Sequence, residues 1–171
     1  MRCAGYRGVA VTGQCWNVLT LVYCMAKFQD QFARVRRFLQ RIQTHNRSAT
    51  DYDDDMWAFF QNCWHLKDWI KHDPEVPLDV RNTIEKDAQG SSELMVCADL
   101  ANASKHLFLT TPRIGAKHSH KNYRVVIGGQ SKVEYFIDVG DGSKIDGVAL
   151  AHRCIAAWES ILNKRNLAYD V

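Results

Sequence analysis

Hydrophobic positions recur at helical spacing along most of the chain. From about Lys27, Phe28, Phe32, Val35, Leu39 and Ile42 step by four and three, which predicts an amphipathic helix whose other faces carry Arg34, Arg36, Arg37 and Arg41. The arginines read as a solvated basic face or as phosphate contacts. After a break at His45–Thr50, Asp51–Asp55 forms an acidic helix start, favourable against the positive end of the helix dipole. The helix it opens runs to His72, with Met56, Phe59, Phe60, Cys63 and Ile70 on one stripe and Trp57, Trp64 and Leu66 widening it. A narrow edge is left for Gln61, His65, Asp68 and His72. Pro74 and Pro77 punctuate a connection, and Leu78–Lys86 predicts a short helix ended by the Gln89-Gly90 turn.

The next stretch, Glu93–Phe108, organises the rest. It suits a helix of about four turns that Ser91 or Ser92 can cap. Val96, Leu100, Ala103 and Leu107 share its apolar face with Cys97, Ala101 and Phe108 beside them. A polar ridge of Asp99, Asn102 and His106, with Lys105 adjacent, borders that face and reads either as ordinary solvated or hydrogen-bonded positions or as a site. This helix and Asp51–His72 are expected to pack as antiparallel neighbours.

The period then changes to two. Tyr123–Ile127 alternates up to Gly128-Gly129 and Lys132–Val139 alternates up to Asp141-Gly142, which predicts a hairpin or a three-stranded meander. Asp146 can cap a last helix with Val148, Ala151, Ile155, Trp158 and Leu162 on its core face and Cys154 alongside. The expected fold is therefore mainly α: an up-and-down bundle of about four longer helices with a small β insertion before the last. The 171 residues suit one domain, of which residues 1–13, with three glycines and no period, read as a poorly ordered tail.

Net charge is only +3, but it is unevenly distributed. Residues 1–49 carry +7, residues 50–93 carry −7, residues 94–133 carry +5 and the remainder −2. Such alternating blocks suggest faces that meet within the fold or across a dimer. No apolar window approaches a membrane span. Six cysteines without a C-x-x-C pair read as reduced core thiols in a cytoplasmic protein. The segment Arg113, Lys117, His118, His120 and Lys121 reads as a basic loop for phosphate contact or plain solvation. No carboxylate lies near its histidines in sequence, so neither a metal nor another cofactor is expected there. Walker, dinucleotide-binding, H-E-x-x-H and G-x-S-x-G patterns are absent from the sequence.

The window Ala101-Asn102-Ala103-Ser104-Lys105-His106 resembles the signature R-N-x-x-x-H of HEPN domains, all-α bundles of toxin, antiphage and RNA-processing systems. Asn102 and His106 match, and Ala101 stands where the motif has arginine. The resemblance implies a homodimer in which histidine and arginine from two copies assist attack of an RNA 2′-OH on the neighbouring phosphate. Metal-independent cleavage needs a base, an acid and stabilisation of the phosphorane. His106 would serve as base or acid, Lys105 as the cation, Asn102 as a positioning donor and His65 as a second imidazole, supported by Asp99 and Asp68. Three readings follow from the sequence: a metal-independent ribonuclease, a catalytically inactive module that binds RNA, nucleotide or protein, and a helical interaction protein with no ligand at the ridge.

Overall fold

A computed structural model describes residues 27–44, 48–103, 117–126, 130–138 and 143–169. The predicted tail at 1–13, the turns at Gly128-Gly129 and Asp141-Gly142, and residues 104–108 of the signature helix lie outside them. Among the described residues five helices and one small sheet follow in the order α1 (Phe28–Gln43), α2 (Ala49–His72), α3 (Leu78–Gln89), α4 (Ser92–Ala103), β1 (Lys117–Val126), β2 (Gln130–Asp138), β3 (Lys144–Asp146) and α5 (Gly147–Lys164). The protein is mainly helical, with an antiparallel β element before the last helix, as the periodicity predicts.

All five apolar positions of the first period are buried on α1. α1 runs antiparallel to α2, because Phe28 N donates to Asp73 Oδ2 at 3.0 Å at one end and Arg41 pairs with Asp55 at 2.8 Å at the other. It also runs antiparallel to α5, in successive contacts of Gln29 with Ala168 O, Arg36 with Glu159 and Gln43 with His152. The basic face of α1 is thus largely engaged. Arg36 and Arg41 hold carboxylates, and Arg34 lies over the Trp69 ring while donating to Gln31. The oppositely charged blocks do meet inside the fold.

α2 begins two residues earlier than its acidic run suggests, because Ser48 accepts the Asp51 N–H and sets the N-cap. α5 runs parallel to α2: Gly147 lies against Met56, and further along the Trp158 indole donates to Cys63 O at 3.0 Å. α4 runs against α5, since Ser91–Glu93 lie beside Ala157–Arg165 and Cys97 beside Cys154. It is consequently antiparallel to α2, its neighbour through Cys97 Sγ and Phe60 O.

The sheet is a three-stranded meander in the order β1-β2-β3. β1 starts at Lys117, six residues before the alternating segment, so Lys117, His118, His120 and Lys121 belong to a strand and not to a loop. Pairing of β1 along the whole of β2, with a register shift between Lys117 and Ser119, satisfies its backbone whatever the side chains are. The stripe of α5 starts at Gly147, which leaves Val148 only half-buried and puts Leu150 in the core instead. The C-terminal end of α5 closes on Asn166 at φ 54°, with Leu167 N donating back to Leu162 O and the Leu167 side chain buried. None of the described helices is long and apolar enough to cross a membrane.

Two outcomes follow from the way the sheet meets the helices. A Cβ at Gly147 would lie 2.9 Å from the Tyr135 ring and 3.1 Å from its carbonyl oxygen. Gly147→Ala is expected to lower stability by about 1–2 kcal/mol in urea denaturation, overpacking outweighing the gain in helix propensity. Tyr52, buried beside Tyr135, has its phenol pushed up to about 12 by burial and then by the Asp146 carboxylate. The folded state holds this proton more tightly than the unfolded one, so the associated stability is complete below pH ~10 and is lost as pH rises toward 12. Tyr52→Phe should flatten that alkaline decline in a pH series of denaturation midpoints.

Candidate functional site

Along α4 the apolar stripe widens until it covers nearly the whole helix. Leu94, Val96, Cys97, Ala98, Leu100 and Ala101 are buried, and so is Asp99, at 1% exposure. Asp99 is therefore a core carboxylate, held in an interaction and not a solvated ridge position. Asn102 is half-buried. Lys105, His106 and Arg113 lie outside the described residues, whereas Lys117, His118, His120 and Lys121 are described only as members of β1, where His120 pairs with Phe136 and Lys121 with Tyr135.

On α2, His65 is half-buried and engaged, and the Asp68 carboxylate accepts from Lys67 Nζ at 2.6 Å. His72 turns back on its own helix, its Nδ1 2.7 Å from Asp68 O. Antiparallel packing offsets the two helices' polar residues along their axes by unequal amounts. With Cys63 and Cys97 level with each other, a rise of 1.5 Å per residue puts His65 about 10 Å and Asp68 about 15 Å from Asn102 along the axes. Asp99 is the closer of the two α4 residues to His65, with an axial offset of about 6 Å on the same reckoning.

The residues that the helices do bring together are cysteines. Cys63 of α2, Cys97 of α4 and Cys154 of α5 are fully buried free thiols whose sulfurs all lie within 4.8 Å of one another. Cys97 Sγ donates to Phe60 O at 3.2 Å and Cys154 Sγ to Glu93 O at 3.5 Å. Burial pushes the Cys97 and Cys154 thiols up. The cluster is the one group of metal-ligating side chains among the described residues. In sequence the three positions carry only the signal of apolar helical spacing, each on a separate helix, and nothing announces their convergence.

A groove of about 660 Å³ lies between the α3–α4 turn and the last two turns of α5. It is bordered by Lys86 and Lys164 and by Arg165, which forks onto Asp87 at 2.7 and 2.8 Å. The α4 N-terminus at its edge already has an anion. The Glu93 carboxyl is held below its usual range by its own backbone N–H and, against some desolvation, by the Ser92 and Ser91 hydroxyls and Arg153.

No family model, curated protein or solved structure matches this chain.

The burial of Asp99 separates a structural from a site role for the α4 polar residues. Asp99→Ala should cost about 1–3 kcal/mol, since it breaks the interaction of a fully buried carboxylate and leaves a void, while Asn102→Ala should cost under about 1 kcal/mol. Urea midpoints of the two variants measure the difference.

Proposed function

We propose that the chain is a HEPN-like helical bundle that binds RNA without cutting it. The observation that carries this reading is Ala101. Its side chain is fully buried on α4, so the position that holds a cation in the signature R-N-x-x-x-H presents a methyl group to the core. A guanidinium poised at a phosphorane is thereby missing from the motif, while Asn102 stays half-buried at its edge. The mainly helical bundle, with the motif helix packed centrally between α2 and α5, agrees with the resemblance. Lys117, Lys121 and Arg124 on β1, an outer strand of the sheet, supply charge for phosphate contact, and β1 carries no acid.

The resemblance further implies a homodimer, to which light scattering over a concentration series gives a direct answer. Three buried free thiols within 4.8 Å of one another fit a reducing compartment such as the cytoplasm.

The test is one set of samples in EDTA with single-stranded and structured RNA. Fluorescence anisotropy should show binding that weakens with salt, with a slope of about −0.7 per phosphate contacted on a single strand. Lys117→Glu with Lys121→Glu should weaken binding and reduce that slope. Wild type should yield no 2′,3′-cyclic phosphate. A cyclic product from wild type that is lost in His106→Ala would establish the ribonuclease reading instead, and absence of both binding and cleavage would leave the interaction-protein reading.

A further inference from the structure

The buried thiols define a second centre, independent of any RNA site. Three separate helices each deliver one sulfur to the same point, and among the described residues no histidine nitrogen or carboxylate oxygen joins them. Sulfurs 4.8 Å apart would each lie about 2.8 Å from their common centre. A shift of at most about 0.5 Å apiece brings them to the roughly 2.3 Å of a metal–thiolate bond around a centre in their plane, and one of at most about 0.8 Å does so around a pyramidal centre. The donor set is therefore three-coordinate and all-sulfur, which selects soft ions over hard ones.

Charge selects further. Three thiolates carry three negative charges, of which a monovalent ion leaves two uncompensated and a divalent ion one. The turns that bear the cysteines bury Phe60, Leu94, Ala98, Ala151 and Trp158. Lys67, one turn beyond Cys63, is held by Asp68 and Glu85. An uncompensated buried charge is costly in such surroundings, and a trivalent centre leaves none. Tetrahedral zinc would also need a fourth donor.

The geometry points to a three-thiolate site for a soft trivalent element of the arsenic(III) or antimony(III) class, bound by Cys63, Cys97 and Cys154 together. The element arrives as its neutral trihydroxide. Three element–oxygen bonds and three S–H bonds break, three element–sulfur bonds form, and each hydroxide leaves as water with one thiol proton. No electron is transferred and no net charge enters the core. The hydrogen bonds that the Cys97 and Cys154 thiols donate to Phe60 O and Glu93 O are given up in exchange. Because the thiols are buried, entry requires local opening of the helices and is slow relative to mixing.

The probe is arsenite, added to the full chain in a phosphine reductant that offers no competing thiol. Wild type should take up one arsenic per chain in native mass spectrometry and show a raised urea midpoint, because the ligand binds the folded state. X-ray absorption at the arsenic edge should show three sulfur neighbours and no oxygen. A variant with Cys3, Cys15 and Cys24 all changed to Ser should bind as wild type does, whereas Cys97→Ala should bind at least tenfold more weakly. If Cys97→Ala does not fold, Cys154→Ala replaces it, and the sulfur count on wild type stands without either. No uptake, oxygen neighbours, undiminished binding in the alanine variants or loss of binding in the serine variant would each overturn the assignment and leave the cysteines as core-filling thiols, and tighter stoichiometric binding of zinc would overturn it in favour of a divalent site.

Discussion

Close approach of α2, α4 and α5 is the constraint on which the remaining structure rests. Small side chains make it possible: Cys63 on α2, Cys97, Ala98 and Ala101 on α4, and Ala151 and Cys154 on α5 are all buried. Trp158 fills the space left between them and finds a partner for its one donor in Cys63 O. α1 docks on the pair α2 and α5, and the sheet docks where Gly147 of α5 meets Met56 and Tyr135. A larger residue at any of the small positions would therefore move surfaces that two further elements use.

The charged residues divide into those the core requires and those it tolerates. Lys27 and Glu75 meet at 2.7 Å with both side chains well exposed, a pair worth little. Asp55 is nearly buried, so its pairing with Arg41 compensates a charge that would otherwise be expensive in that position. Gln31 shows the same logic without charge, its amide donating to Asn62 and accepting from Arg34 inside the α1–α2 contact. The basic block at the start of the chain is thus in good part a set of assembly contacts.

Sequence pattern revealed α1 fully, because one face is buried and the opposite face is wet, which is the condition under which a 3.6-residue period is visible. It revealed α2 and α5 nearly as well, missing that Gly147 begins the α5 stripe through a contact that no period encodes. On α4 the periodic signal fades. A helix enclosed on most sides loses its polar face, and Asp99, which the period places on a polar ridge beside the apolar face, is a core carboxylate held in an interaction. β1 was invisible at its start for the opposite reason: backbone pairing alone extends it through Lys117–Asn122, where the side chains do not alternate. The convergence of three cysteines is a product of helix packing, and spacing along the chain has no means of recording it.

The N-terminus of α1 has an unusual debt. Lys27 at its N-cap offers no side-chain acceptor, and although Asp30 reaches back to the Lys27 N–H, the Phe28 N–H is met by Asp73, which also ends α2 and accepts from Glu75 N. One carboxylate thus closes one helix and opens another that precedes it by almost fifty residues. On a ribosome α1 leaves the exit tunnel before α2, and its opening turn cannot be completed until the far end of α2 has also emerged. Until then Phe28, Phe32 and Val35 lack the α2 face that covers them in the folded protein, and the segment that caps the helix is the one that shields it.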